Sequence, residues 1–366
     1  RDIMHVSHGC YLCKKLGEKG HDVTLYTSDV GHKRARWTLR GVETKEVEDF
    51  KLKRLKTIAD FVENPLYPSI YREIKQGGYD LVHAHEDWQI GTFLSFLAAR
   101  SKRIPFILSE ERYYPPGRLR AFFNFFDSEC ASTVRNQANA VTAHSTAAKD
   151  YLMERGLAQE KIKVIPVGVD TKLFKPLRNS DLRVRLGIKS SDIVILNVGR
   201  LHPYKGQRLL IEAFKRVRQM LENVKLLIVG RGFLKENFTR LIEGLKLQND
   251  VFLIDEAYPN DVMPSIYANC DIFCLPSLVE PFGIAVLEAM ACGKPVIGTK
   301  VSGMLETIAY GKVGFLVNPN DVDGLSARLM DLALDEALRN RLGGNALKRA
   351  KTCLLYTSPS PRDRTR

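Results

Sequence analysis

The stretch Glu280–Thr299, EPFGIAVLEAMACGKPVIGT, reads as a loop, a buried helix and a buried strand in immediate succession, and that reading sets the fold class. Pro281 and Gly283 shape the loop. From Ile284 onward Ala285, Val286, Leu287, Ala289 and Met290 make the helix apolar nearly all round, and Val296–Thr299 follow as a short β-rich run. A helix and a strand that are both apolar on all sides belong in a parallel sheet covered on both faces.

The same alternation extends outward in both directions. Ile193–Val198, Lys225–Val229, Val251–Ile254 and Ile272–Leu275 read as buried strands before it. A typical intervening helix, Gln207–Leu221, sets Leu210, Phe214, Val217 and Leu221 on one face, with Lys215, Arg216 and Arg218 largely off it. The first half repeats the pattern with Ile3–Ser7, Val23–Ser28, Leu81–His85, Phe106–Ser109 and Ala140–His144, and with a helix over Ile90–Arg100. Pro166–Asp181 holds two prolines, a glycine and little periodicity, which suits a linker. The expected architecture is α/β, with two doubly wound Rossmann-like domains facing across a cleft: residues 1–165, a linker 166–181, and residues 182–352.

In such sheets ligands sit beyond the carboxyl ends of the strands, so the residues just after each strand are where chemistry is sought. LNVGRLHPYKGQ runs from a strand through Gly199 into a loop and opens a helix near Gln207. Free amides at that helix start, with Arg200 and Lys205 beside them, suit a diphosphate, although a surface loop with two solvated cations reads equally well. Gly230, Arg231 and Gly232 follow a strand and suit either a ligand loop or a tight turn. Glu280 lies in the loop before the apolar helix, where the amides of Phe282, Gly283 and Ile284 can meet sugar hydroxyls. Glu288 is a carboxylate within that helix. Burying it is costly unless it is paired or meets a polyhydroxyl ligand such as a ribose diol; the plainer alternative is a carboxylate favoured by the helix dipole. In the first half, DLVHAHED ends a strand with His83 and His85 on one face. No third ligand at a clear spacing supports a metal there, so His83 reads as structural and His85 as the candidate for touching a substrate.

The chain has 366 residues, a formal charge of +13 and seven cysteines. The charge favours an anionic donor or an acidic membrane surface, and Lys51, Lys53, Arg54 and Lys56 are its densest segment, read as a solvated helix face. The cysteines are odd in number and sit mostly in apolar runs. Cys10 and Cys13 form a C-x-x-C in the helix-like CYLCKKL and are read as structural. No apolar run approaches the roughly 20 residues of a spanning helix, and a cytosolic address is expected. Cys353–Asp363, CLLYTSPSPRD, corresponds to the translation of an adaptor from transposon-based sequencing libraries, so residues 353–366 are read as a non-native tail.

HVSHG, GHDVTLYTSD, DLVHAHED, VIPVGVD, VGRLHPYKG and EPFGIAVLEAMACGKPVIGT, in that order, resemble the GT-B-fold retaining glycosyltransferases of family 4, also called group 1 glycosyltransferases. The resemblance spans nearly all of Asp2–Thr352. It implies a catalytic set of Glu280, His85, Arg200 and Lys205. It further implies a donor site in which Gly199, Arg200 and Lys205 hold the diphosphate, Glu288 the ribose, Glu280 with Phe282, Gly283 and Ile284 the sugar, and Gly230 and Gly232 approach the base. A nucleoside diphosphate sugar would be co-substrate, with no cofactor or catalytic metal. Three departures from the family pattern are a first loop shortened after Gly9, Val167 in place of a polar residue, and a closing helix missing beyond Thr352.

The expected function is therefore transfer of a sugar, with retention, from a nucleoside diphosphate sugar to an unidentified acceptor. The rival readings are a nucleotide-sugar binding protein without turnover and a nucleotide-sugar epimerase of the same fold. The aromatic and basic segment Tyr113–Phe126 suits either a membrane surface or core and rim. No nucleic-acid-binding module is visible.

Overall fold

The computed structural model describes residues 8–33, 36–39, 43–47, 49–60, 64–110, 125–178, 181–256 and 258–352. The expected strand Ile3–Ser7, all but the last two residues of Tyr113–Phe126, and the tail 353–366 lie outside them. The chain divides into two compact units, residues 1–165 and 166–366.

In the first unit the strands are β1 (Thr24–Ser28), β2 (Val30–Lys33), β3 (Arg36–Leu39), β4 (Glu43–Val47), β5 (Phe50–Leu55), β6 (Ala59–Asp60), β7 (Pro65–Leu66), β8 (Val82–His85), β9 (Phe106–Glu110), β10 (Ala140–Ala143) and β11 (Ile162–Val164). β11, β10, β9 and β8 form a parallel sheet in that order. Its core holds Phe96, Phe106, Leu108, Val134, Val141 and Leu152. A second sheet has the order β1-β5-β4, with β4 antiparallel to β5. The expected helix over the basic segment is thus a strand: Phe50, Leu52 and Leu55 are buried, and the period-two alternation of FKLKRL outweighs its charge. Its cations are largely ion-paired, Lys51 with Asp22, Lys53 with Glu73 and Arg54 with Glu43. Cys10 and Cys13 lie on the helix His8–Gly17, and burial pushes the Cys13 thiol up to about 12.

The second unit contains β12 (Ile193–Val198), β13 (Val224–Val229), β14 (Val251–Ile254), β15 (Ile272–Leu275), β16 (Val296–Thr299) and β17 (Gly314–Val317). All pair in parallel, in the order β14-β13-β12-β15-β16-β17. The chain winds outward from β12 to one edge, then returns to β15 and winds to the other. The strand order therefore reverses between β12 and β15, which pair through Ile195 with Ile272 and Leu196 with Phe273. Helices cover both faces. Gln207–Met220 buries Leu209, Leu210, Ile211, Ala213, Phe214 and Val217 on one side, and Ile284–Ala291 buries Val286, Leu287, Ala289, Met290 and Ala291 on the other. Val167, Val169 and Phe174, from the segment expected to be a linker, pack into this unit's core. No helix among the described residues is long and apolar enough to cross a membrane.

Candidate active site

At the switch point the loops after β12 and β15 meet. The first leaves β12 through Gly199 and Arg200, turns through Pro203–Lys205 and enters the helix Gln207–Met220 at Gly206. Gly206 has φ +68°, and a Cβ there would lie 1.9 Å from the Pro276 carbonyl oxygen. Only glycine meets both demands, so the two loops touch backbone to backbone. The Leu278 amide donates to the Tyr204 carbonyl at 2.7 Å, and the Gln207 side-chain amide donates to the Arg200 carbonyl at 2.9 Å.

The charged groups follow from that closure. The Lys205 ammonium donates to Glu280 Oε2 at 2.6 Å, and the Ser277 hydroxyl donates to the same oxygen at 3.1 Å. The Gly283 amide donates to Glu280 Oε1 at 3.2 Å. Glu280 is 6 % exposed, so its charge is balanced largely by protein groups. Of the three loop amides expected to meet a sugar, Gly283's is thus occupied by Glu280, while Phe282 and Ile284 have no backbone acceptor among the described residues. Arg200 and Arg231 are exposed and form no ion pair among the described residues. They are adjacent, because the Leu201 amide donates to the Arg231 carbonyl at 2.9 Å. Gly230 allows that approach, since a Cβ on it would stand 2.0 Å from the Gly199 carbonyl oxygen. Gly232 packs in the same way beside Leu201.

Glu288 lies about one turn into the helix Ile284–Ala291, which follows the Glu280 loop. It is half-buried, and its Oε2 accepts from the Tyr267 hydroxyl at 2.6 Å. Burial raises the carboxyl from the usual 4.5 to about 7, against the opposing effect of that hydrogen bond. Oε1 has no protein partner among the described residues.

The structure therefore gathers Gly199, Arg200, Lys205, Gly230, Gly232, Glu280, Phe282, Gly283, Ile284 and Glu288 in the second unit. His85 belongs to the first unit. It ends β8, with its ring stacked on His83 at 4.8 Å, and His83 is held by Ser109 at 2.7 Å. Just beyond, the buried Asp87 pairs with Arg135, which also reaches Asp127 at 2.7 Å. Sequence reasoning did not single out Ser277 or Tyr267, and it named Gln207 only as the start of a helix and Arg231 only as part of a loop after a strand. Tyr267 was the most accessible of these, because a carboxylate on an apolar helix needs a donor and a tyrosine amid apolar residues supplies one.

Two α/β units, the second built on a doubly wound parallel sheet, have the architecture of the GT-B class. Residues 6–173 match the family described as Glycosyltransferase Family 4 and residues 179–349 the family described as Glycosyl transferases group 1. The chain belongs to the GT-B glycosyltransferases of the family 4 type. It is 28 % identical to the sulfoquinovosyl transferase of Arabidopsis thaliana over 76 % of this chain and 54 % of that protein. It is also 28 % identical to a D-inositol 3-phosphate glycosyltransferase of Corynebacterium glutamicum, over 75 % of this chain and 68 % of the relative. The chain thus spans about half the length of the first relative and two thirds of the second. Among solved structures, HepE of Anabaena in complex with UDP-glucose superposes with a TM-score of 0.71 at 25 % identity, covering 84 % of this chain and 82 % of HepE.

Proposed function

We propose that this chain transfers a sugar from a nucleoside diphosphate sugar to an acceptor, with retention at the anomeric carbon. The observation that carries the reading is the Lys205–Glu280 pair at the switch point, with exposed Arg200 on the same loop. UDP-glucose bound to HepE supports a nucleotide-sugar donor.

On this reading Arg200 and Lys205 bind the diphosphate and take up the negative charge that develops as the sugar–phosphate bond breaks. Lys205 is already held by Glu280, so little reorganisation is needed when that charge appears. Glu280 is a positioning residue in this scheme, and the Phe282 and Ile284 amides remain for the sugar hydroxyls. Glu288 accepts from the ribose diol. His85, at the end of β8, is assigned to the transferred sugar near the reaction centre. The acceptor oxygen attacks the face from which the diphosphate departs, and its proton passes to the leaving phosphate oxygen.

A thermal-shift series with UDP-, GDP- and ADP-sugars is the first test. A matching donor at about a hundred times its dissociation constant adds roughly 2.7 kcal/mol, which is about 3 to 4 °C for a chain of this size. Release of nucleoside diphosphate that persists unchanged in Lys205→Ala and Glu288→Ala would sink the assignment. Tight donor binding without transfer to any acceptor would favour a binding protein instead.

A further inference from the structure

We propose that Tyr267 is a positioning residue for donor recognition: its hydroxyl takes one oxygen of Glu288 and leaves the other presented to the ribose diol. The inference rests on the reading of Glu288 as the ribose-binding group.

Tyr267 lies on the helix Met263–Ala268 and is fully buried. Its ring is wedged between Phe174, at 6.1 Å, and Phe273, at 5.6 Å. A buried phenol needs a hydrogen-bond partner, and here the partner is Glu288 Oε2 at 2.6 Å. Burial, reinforced by the neighbouring Glu288 charge, pushes the phenol well above its usual value, so it remains an O–H donor throughout the neutral range. The last torsion of a glutamate is otherwise broad. A donor fixed at one oxygen narrows that torsion before any ligand arrives, which lowers the entropy lost on binding.

The remaining titratable groups nearby do not substitute for it. Cys270 follows the Tyr267 helix and Cys292 ends the Glu288 helix; burial pushes both thiols up to about 12, and they stay neutral. Lys294 donates to the carbonyls of Ala268 and Cys270 at 3.3 and 2.7 Å, so its ammonium is spent on closing the Tyr267 helix. Tyr267 is thus the side chain that both orients Glu288 and favours its ionised form.

The test is Tyr267→Phe, which keeps the ring between Phe174 and Phe273. Calorimetric affinities for UDP, GDP and ADP, each beside its 2′-deoxy analogue, are measured across the neutral pH range together with the melting temperature. The wild type is expected to prefer the ribonucleotide and to lose affinity as pH falls and Glu288 is protonated. In Tyr267→Phe ribonucleotide affinity should drop about five- to tenfold, the deoxy analogue should change little, and the acid limb should move to higher pH. In a Glu288→Ala background, which removes both the buried charge and the acceptor that Tyr267 holds, the same change should leave the ribo-to-deoxy ratio unaltered. A variant that melts earlier yet keeps both that ratio and the acid limb has lost only packing, and overturns the inference. A wild type that binds ribo- and deoxynucleotide equally, or binds none of the three, overturns the Glu288 reading itself.

Discussion

Lys205→Ala is expected to lower kcat/KM for donor turnover by about a hundred- to a thousandfold, the usual cost of removing one preorganised charge-stabilising group. It should also destabilise the second unit, because Glu280 is 6 % exposed and accepts from Lys205 at 2.6 Å. Breaking a fully buried pair costs about 3 to 5 kcal/mol. Ser277 and the Gly283 amide still donate to Glu280, and Lys205 itself is only partly covered, so a loss on the order of 2 to 3 kcal/mol is expected here. The two losses have different origins and can be separated. Glu280→Gln removes the stranded charge, so the double variant Lys205→Ala/Glu280→Gln should recover most of the stability in urea melts and none of the lost rate. Recovery of both would make the pair a structural staple and remove Lys205 from the chemistry. Recovery of neither would show that the cost of Lys205→Ala lies in packing, not in the uncompensated Glu280 carboxylate.

The second unit was legible because its signals are local. Ile193–Val198, Val251–Ile254, Ile272–Leu275 and Val296–Thr299 are continuous apolar runs bounded by turn residues, and each appears as a strand with those bounds. FKLKRL at Phe50–Leu55 was misread because its charge drew more attention than its alternation, and its ion pairs to Asp22, Glu43 and Glu73 come from distant parts of the chain. The site shows the same division. That Glu288 needs a partner follows from one helix, whereas the identity of the partner depends on how the helix Met263–Ala268 packs beside it. Glu280 looked available to a ligand in sequence. Only the contact at Gly206 and Pro276, which brings Lys205 within reach, reveals that protein donors already hold it.

Glu288→Gln is expected to make the ligand-free protein more stable at neutral and alkaline pH while depriving it of ribose recognition. The folded-state carboxyl lies at about 7 against an ordinary 4.5, so between those values the native state binds more protons than the unfolded chain. Stability from this group is therefore complete below the ordinary value and falls as pH rises through the folded one. Displacing a titration by a single pH unit corresponds to about 1.4 kcal/mol, and with some screening of a half-buried group the deficit above neutrality is on the order of 2 kcal/mol. Glutamine carries no charge to desolvate, and its carbonyl can still accept from Tyr267. Urea melts of the two proteins should then diverge as pH rises through this window and coincide near its acid end; a gap independent of pH would mean that burial of charge is not its cause. Recognition should move the other way. With its carbonyl occupied by Tyr267, glutamine offers the ribose a donor where the carboxylate offered an acceptor, and loss of charge-assisted bonds of about 1.5 to 3 kcal/mol weakens the donor roughly ten- to a hundredfold. Greater stability with undiminished affinity would leave Glu288 without a role at the ribose. Both effects together would explain why an apolar helix carries a carboxylate that the fold alone disfavours: the same burial that raises its energy in the empty site gives its hydrogen bonds their strength when a diol arrives.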